Sequence, residues 1–201
     1  MMRKTVTLAC VLLCAGCLTP KRIIPTQYYT IDPVIDVGDA EPTTLTLGVR
    51  PFAVARPYDT GMAYLDSRHR LSYRIKEEWA ELPRDVVTRA VLDAISATGR
   101  FADVGKAAEM SLPDCMLTGE IRKFHEDRSV RPTVVEVEAR FELRRTRAKD
   151  ALWADTLHVK MPLADDSGEA LAAAMSAAVA VLARQAAENI AQADLRVPET
   201  P

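Results

Sequence analysis

Histidine, cysteine and acidic side chains are the residues with which this 201-residue sequence could catalyse a reaction or bind a metal. The three histidines are His69, His125 and His158, and none of them forms a pair at the short spacing typical of zinc ligands. Asp165 and Asp166 are adjacent acids, but a helix cap explains both. The sequence contains neither a nucleophile elbow nor a glycine-rich phosphate loop. We therefore expect no metal, no cofactor and no catalytic residue.

Cys17 is the cysteine whose surroundings indicate a chemical modification. A short basic start over residues 1–4 precedes an apolar run over residues 5–13, and small residues stand directly before the cysteine. This order is typical of a secretion signal that ends in a lipobox, in which the cysteine is lipidated on sulfur and becomes the mature N-terminus. The apolar run is about nine residues long, whereas a membrane-spanning helix needs roughly 20. We predict a signal peptide over residues 1–16 and lipidation at Cys17.

Cys14 leaves an alternative to lipidation, and Cys115 has a simple structural assignment. Cys14 stands where such signals usually carry leucine, and an ordinary cleaved signal with a chance cysteine at position 17 is the alternative. The cysteines within the signal leave with it, so Cys115 has no intrachain disulfide partner once Cys17 is lipidated. Its neighbours Met116 and Leu117 are apolar, which favours a small buried hydrophobe over a reactive thiol.

The segment after the cysteine indicates where the domain is held. Residues 17–27 contain two prolines and the basic pair Lys21 and Arg22, and we predict a lipidated tether of about 30 Å. Leu18 follows the cysteine directly, and the sorting rule of enteric bacteria sends lipoproteins without aspartate at this position to the outer membrane. We therefore predict a lipid anchor on the periplasmic face of the outer membrane.

The remaining chain is long enough for one domain and lacks the charge of a nucleic-acid-binding protein. After the signal about 185 residues remain, which suffices for a single core. The 26 Lys and Arg residues against 28 Asp and Glu give a formal net charge of −2. Nucleic-acid-binding domains are strongly basic, so we exclude nucleic acid as a partner.

The first part of the domain predicts short strands and a hairpin. Residues 28–31 and 46–50 are rich in aromatic and β-branched types, and each run ends at a proline. The chain between residues 52 and 61 looks irregular. Residues 63–66 and 71–75 flank a strongly basic stretch, which predicts a hairpin.

Pro83 and Gly99 mark the ends of the clearest helix in the middle of the chain. Proline suits the first turn of a helix, and glycine suits its C-terminal stop. Apolar residues between them recur at spacings of three and four: Val86, Val87, Ala90, Val91, Ala94 and Ile95. These residues share one face, so we predict a surface helix that packs on a sheet.

A meander of three strands follows. Residues 114–124 and 133–147 form its first two strands, a turn spans residues 125–132, and residues 153–161 form the third. The second strand alternates cleanly between an apolar row of Val135, Val137, Ala139, Phe141 and Leu143 and a charged row of Glu136, Glu138, Arg140, Glu142 and Arg144. One face of the sheet is therefore expected to be buried and the other solvated.

The last helix completes the predicted fold. Asp166 with Glu169 resembles a capping box, and an apolar stripe then continues to about residue 193. We predict one α+β domain over residues 28–193, with a mostly antiparallel sheet and two amphipathic helices on one face, followed by a flexible tail over residues 194–201.

Four short motifs occur in a fixed order along the first half of the chain. They are Tyr28-Tyr29-x-Ile31, Leu47-Gly48-Val49, Tyr64-Leu65-Asp66 and Trp79-Ala80-Glu81. Joined to the lipobox, this order resembles the ABC-type transport auxiliary lipoprotein family, the PqiC-like lipoproteins. The resemblance is carried by residues 28–104 and, beyond them, by layout alone. Members usually have a compact Arg-Pro-Gln-like stretch after Tyr-Leu-Asp, and this chain has Ser67-Arg68-His69-Arg70 instead.

The resemblance implies a non-catalytic component of a transport system. Such lipoproteins accompany an ABC permease and an MCE-domain protein that bridge the inner and outer membranes in lipid or hydrophobic-solute transport. We therefore expect the membrane, the MCE-domain protein and its ABC permease complex as partners, with a homo-oligomer as a further option. The expected contact residues are Tyr64, Leu65, Asp66, Arg68 and Trp79. A structural role in a packed hairpin is the alternative for these residues.

Two other functions fit the same sequence. An envelope scaffold or assembly lipoprotein unrelated to lipid transport would need the same anchor and the same single domain. A periplasmic hydrolase with a dispersed site would carry no motif that a sequence can reveal.

Overall fold

The computed structural model describes residues 24–148 and 150–195, in which the chain forms nine strands and two helices. The predicted signal peptide, Cys17, the start of the tether and residues 196–201 lie outside this part of the chain. The strands are β1 Gln27–Tyr29, β2 Thr46–Val49, β3 Ala53–Val54, β4 Gly61–Leu65, β5 Leu71–Trp79, β6 Asp103–Lys106, β7 Cys115–Asp127, β8 Val134–Arg145 and β9 Ala151–Pro162. The helices are α1 Pro83–Ala97 and α2 Gly168–Gln192.

The long meander β7–β8–β9 is the framework of the sheet. Leu117 pairs with Leu143 across the first antiparallel ladder, and Val137 pairs with Val159 across the second. The apolar row predicted for β8 is fully buried, from Val135 to Leu143. The alternation of this strand thus fixes which face of the meander forms the core.

The other edge of β7 is lined by three short strands in succession, all parallel to it. Leu47 of β2 pairs with Cys115, Ala53 of β3 pairs with Glu120, and Tyr64 of β4 pairs with Glu126. Beyond them, β6 pairs with β2, β5 with β4 and β1 with β5. The sheet is mixed, and the long antiparallel ladders supply most of its paired positions. β3 lies in the stretch that the sequence presented as irregular, which corrects that expectation.

Both helices pack on the same face of the sheet. In α1 the side chains of Val87, Val91 and Ile95 are at most 1% exposed, and α2 buries an equally continuous stripe that includes Leu171 and Leu182. Each fully buried aliphatic side chain of this size contributes about 1.5–3 kcal/mol of transfer free energy. The two-layer α+β architecture is confirmed. Gly99, with a φ of 64°, ends α1 as predicted.

The last helix begins one residue later than the predicted cap. Ser167, not Asp166, is the N-cap, and its hydroxyl accepts a hydrogen bond from the Ala170 amide at 3.1 Å. The length of α2 and the mean hydropathy of 1.5 over an 18-residue window within it would suffice for a membrane span, but its apolar stripe is buried against β8, β9 and α1. The chain stays packed through Leu195, which is 6% exposed and lies two residues past the predicted domain end.

The first turn of the meander is shorter than the sequence suggested. Residues 125–132 were expected to form the turn, but β7 continues to Asp127. Glu126 and Asp127 pair with β8 on one side and with β4 on the other, so both neighbouring strands hold this end of β7 extended. As a result three charged or polar side chains of β7 and one of β8 are buried: His125, Glu126, Asp127 and Glu136.

Candidate functional site

The end of the β4–β5 hairpin brings four of the five predicted contact residues together. The Asp66 carboxylate accepts hydrogen bonds from the amides of Arg70 and Arg68 and from Arg70 Nε, at 3.0, 2.8 and 2.8 Å. The amide and side chain of Arg70 lower the pKa of Asp66 from 3.8 to about 2. Asp66 therefore fixes the turn, and the Arg68 side chain is left exposed beside it.

Tyr64 and Leu65 are half-buried at the same end of the sheet. The guanidinium carbon of Arg128 lies 3.9 Å from the centre of the Tyr64 ring, a cation–π contact. Leu65 pairs with Asp127 of β7, so its backbone belongs to the ladder. These two residues present only part of their side chains to a partner.

Trp79 does not belong to this surface. Its side chain is 2% exposed and packs edge-to-face on Phe124, with 6.0 Å between the ring centres. It lies at the far end of β5 from the hairpin turn. Trp79 was predicted as a contact residue, and this is corrected: the residue belongs to the core. Its large ring is buried where β5 leads into α1.

Three apolar side chains on β1 and β5 are exposed, which the sequence pattern did not predict. Tyr28, Tyr73 and Ile75 are 65%, 45% and 89% exposed, and we call these three residues the edge patch. In β5 the alternation is the reverse of the usual one, because the Arg74 side chain turns toward the helices and is only 7% exposed. A pattern of Tyr and Ile alternating with polar residues normally predicts that the apolar residues are inside. Tyr73 and Ile75 lie two residues apart on β5 and so share one face, and neighbouring exposed apolar residues are typical of an interaction site.

Arg74 is buried because it pairs with Glu126. Its Nε donates to Glu126 Oε2 at 2.9 Å, and one of its terminal nitrogens donates to the Asp166 carbonyl at 2.9 Å. Arg128 Nε donates to the other oxygen of Glu126 at 2.7 Å. Burial alone would raise the pKa of Glu126, but its hydrogen bonds to Arg128 and Arg74 outweigh burial and lower it. The pair links β5, β7 and the start of α2.

A cleft lies beside the edge patch. It has a volume of about 650 Å³ and lies between the loop after β3, Tyr73 of β5 and the start of α1. The lining is mostly apolar, with Val54, Pro57 and Leu82, and the Tyr73 hydroxyl donates to the Pro57 carbonyl at 2.9 Å. The cleft thus extends the apolar surface of the edge patch toward α1.

A second group of polar side chains lies on the sheet face away from the helices. His158 Nε2 lies 2.6 Å from Glu136 Oε1, and Lys123 Nζ lies 2.8 Å from the same oxygen and 3.1 Å from Glu138 Oε2. His125 Nε2 lies 3.5 Å from Glu136 Oε2. We call Glu136, Glu138, His158 and His125 the outer cluster.

The electrostatics of the outer cluster follow from burial and from its cations. Burial would raise the pKa of Glu136, but Lys123, Lys160 and His158 outweigh it and the pKa is lowered. Burial is the largest cause of the lowered pKa of His125, so this imidazole is neutral at pH 7. Glu136 is therefore an ionised carboxylate that is only 5% exposed.

The outer cluster contains three side chains of the types that bind metal ions. Ligand atoms of Glu136, Glu138 and His158 all lie within 4.8 Å of one another. The spacing of histidines along the chain could not reveal this, because the side chains come from neighbouring strands. The one available signal was the β8 alternation, which places both glutamates on one face.

Comparison with known proteins places the chain among transport-associated lipoproteins. The family model for the ABC-type transport auxiliary lipoprotein component matches residues 29–187. A comparison with curated proteins gives no match.

Solved structures with the same fold come from proteins of low sequence identity. A crystal structure of a DUF330 protein from Xanthomonas campestris matches with a TM-score of 0.73 and 19% identity, covering 83% of this chain and 96% of the other. A crystal structure of an uncharacterized protein matches with a TM-score of 0.66 and 14% identity, covering 83% and 99%. A hypothetical protein from Chlamydia trachomatis matches with a TM-score of 0.51 and 9% identity, covering 74% and 96%. At such identities these structures establish a shared fold.

Proposed function

The chain belongs to the ABC-type transport auxiliary lipoprotein family, and from this we propose that it is the lipid-anchored, non-catalytic auxiliary component of an ABC/MCE-type system that moves lipids or hydrophobic solutes between membranes. The observation that carries the proposal is the family match over residues 29–187, which includes β2 to β9 and most of α2. The resemblance to the PqiC-like lipoproteins supplies the MCE-domain protein as the partner.

The anchor in this proposal is Cys17, at the periplasmic face of the outer membrane. Ile24 is the first residue that the structure describes, and β1 starts at Gln27. The seven residue-to-residue steps from Cys17 to Ile24 span at most about 25 Å when fully extended. A lipid on Cys17 would thus keep the β1–β5 edge close to the bilayer and would limit where a partner can dock.

The docking surface in this proposal combines the hairpin end with the edge patch. Tyr64, Leu65, Asp66 and Arg68 supply aromatic, apolar and charged groups at the hairpin end. Tyr28, Tyr73 and Ile75 extend the surface along the sheet edge. Interfaces are enriched in aromatic residues and arginine, and this combination supports contact with the periplasmic MCE assembly.

The anchor is tested with a Cys17→Ser variant. We expect this variant to fold but to leave the membrane fraction, since a serine hydroxyl cannot take the lipid that the thiol carries. Fractionation of cells followed by detection of the chain measures the outcome. Cys115→Ser is the control and should remain in the membrane. Retention of Cys17→Ser in the membrane would overturn both the lipidation and the mechanism built on it.

The docking surface is tested by copurification from detergent-solubilised membranes. We expect Ile75→Asp to reduce recovery of the MCE-domain protein at least about tenfold, because a charge in a buried apolar contact costs several kcal/mol. Val34→Asp is a matched control, since Val34 is also 89% exposed but lies outside the edge patch.

The same experiment separates the alternatives. If the unmodified chain recovers no MCE-domain protein under conditions that preserve such complexes, the proposed transport role is refuted. The function as an envelope scaffold is then favoured. Hydrolysis of a lipid or ester panel that disappears on one serine or carboxylate substitution would instead favour a hydrolase.

A further inference from the structure

The outer cluster lies on three adjacent strands whose register holds its side chains together. His125 of β7 pairs with Glu136 of β8, and Glu138 of β8 pairs with His158 of β9. Side chains opposite one another in a ladder stand about 5 Å apart at their Cβ atoms. The backbone therefore places two carboxylates and two imidazoles on one rigid patch of sheet.

The distances within the cluster suit a metal ion. The ligand atoms of Glu136, Glu138 and His158 lie within 4.8 Å of one another, and His158 Nε2 lies 2.6 Å from Glu136 Oε1. A zinc ion with bonds of roughly 2.0–2.2 Å holds tetrahedral ligand atoms about 3.5 Å apart. Small changes of side-chain rotamer would bring the three groups to this separation.

His125 gives an independent indication that a ligand belongs here. His125 is 4% exposed, and Nε2 of its imidazole has no hydrogen-bond partner. The Tyr58 hydroxyl lies 2.8 Å from Nδ1 and the two rings stack, so this imidazole is held with Nε2 directed at Glu136 Oε2, 3.5 Å away. Buried polar atoms without partners are rare and call for an explanation.

We propose that Glu136, Glu138 and His158 form a binding site for a zinc ion, toward which the unpartnered Nε2 of His125 is directed. This site is independent of the transport role.

Lys123 currently occupies the position between the two carboxylates. Its Nζ lies 2.8 Å from Glu136 Oε1 and 3.1 Å from Glu138 Oε2, and Lys160 Nζ lies 3.6 Å from Glu136 Oε1. The two lysine side chains are 38% and 47% exposed, so both can turn into solvent when a divalent cation enters. Lys123 therefore competes with the metal and moderates its affinity.

The donor set favours zinc over the hard cations. One imidazole and two carboxylates are ligands that zinc accepts in four-coordinate sites, with water as the fourth. Magnesium and calcium prefer sites built from oxygen alone. We expect magnesium to bind much more weakly than zinc.

Isothermal titration of the full chain in detergent with zinc chloride tests the site. One zinc ion should bind per chain and raise Tm, and His158→Ala and Glu138→Gln should each weaken binding at least about tenfold. His158 is the safer change for folding, because its side chain is 37% exposed. His69→Ala removes a histidine outside the cluster and should leave the affinity unchanged.

Lys123→Met separates a metal site from a simple network of ion pairs. Removal of the competing ammonium should tighten zinc binding about tenfold. The proposal is overturned if the unmodified chain shows no saturable zinc binding, if His69→Ala abolishes binding, or if Lys123→Met leaves the affinity unchanged.

Discussion

Asp66 illustrates how a single carboxylate can fix the geometry of an exposed turn. It accepts three hydrogen bonds from Arg68 and Arg70, and its charged form is the one that the fold favours. Because the pKa in the folded chain, about 2, lies below the ordinary 3.8, its contribution to stability is complete above that ordinary value. That contribution is lost as the pH falls through about 2.

We therefore predict a local acid transition at the hairpin turn. The amide NMR signals of Arg68 and Arg70 should titrate together with a midpoint near pH 2, as their acceptor becomes protonated. In Asp66→Asn these signals should show no such transition. A midpoint near 3.8 would contradict the hydrogen-bonding role.

At the residue scale, the sequence predicted groups that act locally and missed those that meet across strands. The hairpin residues Tyr64 to Arg68 are neighbours in sequence, so their proximity follows from the turn alone. Glu136 was expected on the solvated face, and it does lie there, but neighbouring side chains from β7 and β9 bury it. Such burial depends on pairing between distant segments, which a local pattern does not contain.

The cap of α2 yields a prediction at the scale of the element. Ser167→Ala should lower the free energy of unfolding by about 1 kcal/mol, since the Ala170 amide loses its acceptor. Asp166→Ala is the matched control and should cost much less, although the sequence alone favours it as the cap. Urea unfolding followed by circular dichroism measures both. Equal losses would contradict the assignment of Ser167.

The contact between β7 and the loop before β3 yields a second prediction of this kind. A Cβ atom on Gly119 would lie 2.8 Å from Cδ1 of Phe52, a buried ring that packs edge-to-face on Phe141. Gly119→Ala should therefore cost about 1–3 kcal/mol of stability, because the ring has little room to move. Gly38→Ala has no heavy atom within 4 Å of the new Cβ and should be close to neutral. The urea midpoints of the two variants measure this difference in stability.

The elements that the sequence predicted well are those with long and regular patterns. α1 and β8 carry apolar periodicities that extend over nine or ten residues, and both appear where expected. β3 has two residues and β6 has four, and neither carries a pattern of its own. These short strands exist because β7 and β2 offer them an edge to pair with.

Arg74 acts at the scale of the whole molecule, since it connects two strands of the sheet with the start of α2. Arg74→Met should destabilise the fold by about 3 kcal/mol, because it removes a partner from the fully buried Glu126. The double variant Arg74→Met with Glu126→Met should recover much of this loss, since no buried charge then remains unpaired. A double-mutant cycle from urea unfolding measures the coupling. Additive losses would contradict it.

The two-layer arrangement could be predicted from the sequence, whereas the order of the strands could not. Two helices with one apolar face each and a β8 strand with one apolar face leave few architectures. The parallel pairing of β2, β3 and β4 with β7 brings together residues such as Leu47 and Cys115, and no local feature of either segment indicates it.

The central place of β7, late in the sequence, also determines how the molecule can fold. The residues of β7 that pair with β2, β3 and β4 lie 62 to 68 positions further along the chain. Pairing between segments so far apart is slow, because a long loop must close before any contact forms. When the chain is synthesised from its N-terminus, the edges of β2, β3 and β4 therefore stay unpaired until β7 has been made. We expect its folding yield to depend on chaperones that cover those edges.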